Sequence, residues 1–122
     1  MEKGKILVVD DSPTQRNLIR VPFEENGFEV ITAADGEEAV ALVGTENLKL
    51  VIMDVIMPNL NGFQACKKIK ELKKNLPVIL LTAKDQKSDE FWGRRQGADQ
   101  YMIKPFDSQE LYDNAVLLMA LH

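Results

Sequence analysis

Five residues stand where side-chain chemistry could go beyond packing. Asp10 and Asp11 follow the apolar run Ile6-Leu7-Val8-Val9, and Asp54 follows Leu50-Val51-Ile52-Met53. Thr82 follows Val78-Ile79-Leu80-Leu81, and Lys104-Pro105 follows Tyr101-Met102-Ile103. Three carboxylates brought together repel one another and do not all stay ionised without a counter-charge. Lys104 supplies one positive charge. A hard divalent cation would supply the rest, and an all-oxygen ligand set favours Mg2+, which keeps several waters. Lysine and cation together could hold the oxygens of an incoming phosphoryl group, with the Thr82 hydroxyl donating to another. Phosphoryl transfer asks mainly for positioning and charge neutralisation, so these parts suffice. A carboxylate nucleophile would yield an acyl phosphate that water can later cleave. Singly, each residue has a plainer use: an acidic residue after a strand often caps the next helix, and a threonine there often makes a turn. The weight lies in their joint placement at four strand ends.

The elements that must position them are legible. The apolar runs, with a fifth at Phe28 to Thr32, are mostly continuous rather than alternating. That pattern marks strands buried on both faces, as in a parallel sheet covered by helices. Ser12-Pro13-Thr14-Gln15 offers an N-cap serine, proline at the first helical position and glutamine at the third. Asp35-Gly36-Glu37-Glu38 and Asp107-Ser108-Gln109-Glu110 repeat the start signal with aspartate. Asn26-Gly27 stops the first helix and Gly97 the fourth. Five strands alternate with five helices, which predicts a doubly wound α/β fold. In such a sheet the C-terminal strand ends share one edge, where ligands bind. Pro22 falls inside the first predicted helix and should kink it or end it early.

A chain of 122 residues is one domain, 1–122, and its 45% apolar content is enough for a full core. The net charge of −4 argues against nucleic acid or an anionic membrane surface as partner. The single cysteine, Cys66, excludes an internal disulfide and reads as a buried structural thiol in a helix. There is no signal-peptide pattern, and no apolar run reaches the ~20 residues of a membrane span. A soluble cytoplasmic protein is expected.

The strand-end residues and their neighbours resemble the CheY-like receiver domains of two-component signalling, over the whole chain. The matching stretches are Val8-Val9-Asp10-Asp11-Ser12, Met53 to Gly62, Leu81-Thr82-Ala83 and Tyr101-Met102-Ile103-Lys104-Pro105-Phe106. The resemblance implies a (βα)5 flavodoxin-like sandwich with a five-stranded parallel sheet in the order 2-1-3-4-5. It implies that Asp54 is the phosphoacceptor. Asp11, Asp54 and the backbone carbonyl of Ile56 would ligate Mg2+, and Asp10 would act through a metal-bound water. Lys104 would pair with Asp54 and then its phosphate, across a cis bond to Pro105. Thr82 would move to the phosphate, and Tyr101 would turn inward behind it. A chemotaxis-type histidine kinase would be the donor. A protein target would bind the face made by the fourth helix, fifth strand and fifth helix, with no output domain in the chain.

Two positions depart from the family pattern. They are Ile56 and Lys84, each two residues beyond a site residue; the resemblance implies that side chains there flank the path of the attacking water, and isoleucine cannot position water. The segment from Thr82 to Ala98, with Phe91-Trp92-Gly93-Arg94-Arg95, resembles the stand-alone receivers of pilus-type chemosensory systems, which govern twitching or phototactic motility. Tryptophan and arginine are also frequent at interface hot spots. Three other roles compete: a sink that drains phosphate from a kinase, an unphosphorylated scaffold, and a Mg2+-dependent phosphohydrolase with an aspartate nucleophile. The last places its nucleophile after the first strand, commonly with a second aspartate two residues on, where this chain has Ser12.

Overall fold

The computed structural model describes residues 3–83 and 97–122. The fourth helix expected from the sequence, with Lys84 and Trp92-Gly93-Arg94-Arg95, lies outside them. Strands β1 (Lys5–Val9), β2 (Glu29–Ala33), β3 (Leu50–Asp54), β4 (Val78–Ala83) and β5 (Gln100–Lys104) form one sheet in the order β2-β1-β3-β4-β5. Every described pairing is parallel. Helices α1 (Pro13–Glu25), α2 (Gly36–Thr45), α3 (Gly62–Leu72) and a C-terminal helix (Ser108–Ala120) connect and cover it.

Side chains alternate across a strand, so one run serves two cores. Leu7, Val9, Val51, Met53 and Leu80 face α2 and α3, where Ala39, Val43, Ala65, Cys66 and Ile69 close the layer. Ile6, Val8, Leu50, Ile52, Ile79 and Leu81 face the other way, onto Ile19 and Phe23 of α1 and Leu111, Ala115 and Leu118 of the C-terminal helix. Strands β1 and β3 are buried nearly throughout, whereas the edge strand β2 is buried fully only at Ala33. Burial pushes the Cys66 thiol up to about 12, so it stays protonated at neutral pH and packs as a small apolar group.

The caps fall where the sequence places them. Ser12 Oγ accepts from Gln15 N, Asp35 Oδ1 from Glu38 N and Asp107 Oδ1 from Gln109 N. Asn26 caps the end of α1, and Gly27 follows with a φ of 92°. Of the two outcomes expected at Pro22, a kink or an early end, the early end does not occur. Helix α1 does not end at Pro22 but runs on to Glu25. The turn holding Pro22 is pinned by its neighbours, since Ile19 and Phe23 are both buried and Phe23 packs against Phe28 and Tyr112 at ring-centroid separations of 5.8 and 5.2 Å. No helix among the described residues is long and apolar enough to cross a membrane.

Candidate functional site

The order of the strands reverses between β1 and β3, and the acidic residues sit at that point. Asp10 and Asp11 leave the C-terminal end of β1, and Asp54 ends β3. One carboxylate oxygen from each lies within 4.8 Å of the others. Asp10 is almost wholly buried, Asp54 is 9% exposed and Asp11 faces solvent. Lys104, the last residue of β5, reaches across β4 to this group. Its Nζ lies 3.2 Å from Asp10 Oδ2 and 3.4 Å from Asp54 Oδ1. Burial raises the Asp54 pKa above the usual carboxylate value, and the negative charge of Asp10 adds to the rise. Lys104 opposes both, as does the Val55 N–H, but the net shift is upward.

The local backbone explains the placement. The Ser12 N–H donates to Asp10 Oδ1 (2.9 Å), and the Asp10 N–H donates to Ala33 O (3.1 Å) across to β2. After Asp54 the Val55 N–H donates to Leu81 O (2.9 Å), and the chain turns back so that Gly62 N–H donates to Val55 O (2.8 Å). A side chain at Gly62 would bring its Cβ to 2.5 Å from Asp54 O, so only glycine lets α3 start this close to β3. Between them Asn59 has a φ of 68°, and Leu60 N–H donates back to Pro58 O (2.9 Å). That is a tight three-residue turn with a strained centre. Asn59 Nδ2 donates to Asp35 Oδ2 (3.3 Å), so the carboxylate that caps α2 also holds the loop beyond Asp54.

The structure brings together Asp10, Asp11, Asp54 and Lys104 as the sequence predicts. Thr82 is buried near the end of β4, one residue past Leu81, which pairs with Asp54. The Lys104–Pro105 peptide bond is cis. Tyr101 pairs with Leu80, three residues before Lys104, and is buried in the apolar cluster that includes Met53 and Leu80. The side chain of Ile56 is 56% exposed. Two participants escaped the sequence reading. Arg16 Nη1 donates to Asp10 O at 2.7 Å. The Asn59–Asp35 contact spans 24 residues. Neither has a local signature, because each depends on how two elements lie against each other.

A doubly wound sheet with an acidic trio and a lysine at its switch point is the architecture of a phosphorylation-controlled signalling module. Residues 6–116 match the model of the response regulator receiver domain, and the chain belongs to that family, as the receiver domain of a two-component response regulator. It is 44% identical over 118 residues to protein PilH of Pseudomonas aeruginosa, a match covering 93% of this chain and 98% of that one. It is also 44% identical over 107 residues to the alkaline phosphatase synthesis transcriptional regulatory protein PhoP of Bacillus subtilis, of which it spans only 45%. Among solved structures, the receiver domain of the sensor histidine kinase PA1611 from P. aeruginosa, with a magnesium ion coordinated in its active-site cleft, superposes with a TM-score of 0.88. That pair is 28% identical and covers 96% of this chain and 98% of the other.

Proposed function

We propose that Asp54 accepts a phosphoryl group from a chemotaxis-type histidine kinase in the cytoplasm, with Mg2+ held by Asp11, Asp54 and the Ile56 carbonyl, and by Asp10 through a water. The observation that carries this reading is the meeting of three carboxylates within 4.8 Å, two of them paired to one lysine. The donor set fits the ion. It is all oxygen, partly open to solvent at Asp11, and carries more negative charge than Lys104 balances. The magnesium-bound receiver of PA1611 supports the same choice. The ion would neutralise the charge of the phosphoryl oxygens during transfer.

The remaining roles belong to the chain's own residues. An Asp54 carboxylate oxygen attacks phosphorus, and the bond from phosphorus to the donor's imidazole nitrogen breaks with its electron pair going to that nitrogen. Lys104 keeps one charge-assisted contact with Asp10 and can shift the other from Asp54 to the new phosphoryl oxygens. Thr82, buried near the end of the adjoining strand, donates its hydroxyl to the same group. Tyr101, on the same strand as Lys104, reports the state of the site to the face expected from the fourth helix, β5 and the C-terminal helix, where a protein target would read it. Phosphate must favour one arrangement of these groups over the other for any population to shift. The likeness to PilH supports a place in pilus-type chemosensory control of motility.

The test is direct. Intact-mass spectrometry after treatment with acetyl phosphate and Mg2+ should show one added phosphate on the wild type and none on Asp54→Asn. Equal labelling of both would remove Asp54 from the role.

A further inference from the structure

The residue that aims the acidic turn is not itself acidic. Asp10 is tied at every polar atom of its backbone and side chain. Its N–H donates to Ala33 O, its Oδ1 accepts from Ser12 N–H, and its Oδ2 faces Lys104. Its carbonyl oxygen accepts from Arg16 Nη1 at 2.7 Å, a short charge-assisted bond. That carbonyl belongs to the peptide plane joining Asp10 to Asp11. A trans peptide is rigid and planar, so fixing its oxygen fixes the plane and with it the Asp11 N and Cα; the Ser12 N–H bond to Asp10 Oδ1 holds the next plane, and the two together limit the direction in which the Asp11 Cα–Cβ bond leaves the chain. The Arg16 backbone is fixed one turn into α1, where its N–H donates to Ser12 O at 3.0 Å. The exposed Asp11 is therefore held from both sides, by Asp10 before it and by Ser12 after it.

We infer that Arg16 is a positioning residue for cation binding: through the Asp10 carbonyl it sets the orientation of Asp11 toward Asp54. This rests on the reading of Asp10, Asp11 and Asp54 as a Mg2+ site. It makes a prediction opposite in sign to a simple charge effect. A guanidinium beside an acidic cluster repels a cation, so if Arg16 acted through its charge, neutralising it would tighten Mg2+ binding. If it acts through the peptide plane, the same change weakens binding. Partners of this outer kind are worth about tenfold or more in metal affinity.

Mg2+ titration by isothermal calorimetry, with no phosphodonor present, separates the two. Arg16→Met and Arg16→Gln should each bind Mg2+ about tenfold more weakly than the wild type. Arg16→Lys, which keeps an N–H donor, should recover most of the loss. Arg20→Met, one turn further along α1 and paired with Glu24 instead, should bind as the wild type does. Urea unfolding without Mg2+ identifies variants that are merely unstable, and the glutamine variant serves if the methionine variant does not fold. Equal or tighter binding by a folded Arg16→Gln protein overturns the role of Arg16 and leaves the metal site standing. Absence of Mg2+ binding by the wild type, or undiminished binding by Asp11→Asn, overturns both.

Discussion

Asp54 is held in a state that its surroundings disfavour. Burial chiefly, and the charge of Asp10 in addition, raise its pKa above 3.8 despite Lys104 and the Val55 N–H. The sign of the consequence follows from linkage. A carboxyl whose pKa is higher folded than unfolded binds more protons in the folded state, so stability falls as the pH rises from 3.8 through the raised value. At neutral pH the ionised Asp54 therefore costs stability, and the neutral isostere removes that cost. Asp54→Asn should unfold at a higher urea concentration than the wild type at pH 7, and the advantage should shrink to nothing as the pH approaches 3.8. A midpoint at pH 7 equal to or below the wild-type value would show that Lys104 already compensates the charge. Lys104 and the Val55 N–H thus leave part of that cost uncompensated, and a cation bound beside Asp54, as proposed, would relieve it.

At the scale of elements, most boundaries are readable because local chemistry and tertiary packing agree. Ser12, Asp35 and Asp107 cap helices in both the sequence reading and the structure. The start of α3 is harder to read from the sequence: Asn61 and Gln64 form a complete reciprocal cap there, but the cap directly follows the turn centred on Asn59, in a stretch rich in turn-forming residues. Pro22 shows the opposite case, in which packing overrides a local breaker. The proline supplies no N–H to the Leu18 carbonyl, yet α1 continues because Ile19 and Phe23 on either side of the turn are 2% and 1% exposed. Asn26 Nδ2 then closes the helix on Pro22 O at 2.7 Å. Proline within a helix costs about 3 kcal/mol, offset in part by its restriction of the unfolded chain, about 0.4–1 kcal/mol. Pro22→Ala should therefore stabilise the protein by about 2 kcal/mol in urea unfolding, without altering phosphorylation by acetyl phosphate. Destabilisation instead would mean that the ring itself fills space the alanine leaves empty.

At the scale of the molecule, the site exists because β1, β3, β4 and β5 are parallel and end together, so residues up to 94 positions apart, such as Asp10 and Lys104, meet. Strand-end positions alone bring Asp10, Asp11, Asp54 and Lys104 to one place. The supports around them were not legible, because Arg16 on Asp10 and Asn59 on Asp35 depend on side-chain reach between elements whose separation no periodicity encodes. Since the cluster draws on strands across the sheet, a cation bound there has no counterpart in the unfolded chain and must stabilise the whole fold. At a concentration a hundred times its dissociation constant, a ligand specific to the folded state contributes about 2.7 kcal/mol. For a domain of this size that is roughly 10 °C in melting temperature. Asp54→Asn alters both sides of this balance. It relieves the cost of the buried charge, raising the midpoint without Mg2+, and on the proposed metal site it also removes a ligand, shrinking the increment that Mg2+ brings. The difference between the two melting temperatures should therefore depend on Mg2+: the variant is the more stable protein in EDTA, and its advantage narrows or inverts as Mg2+ is added at pH 7. Parallel increments in the two proteins would show that cation binding does not engage Asp54, and the charge balance at the sheet edge would then need a different explanation.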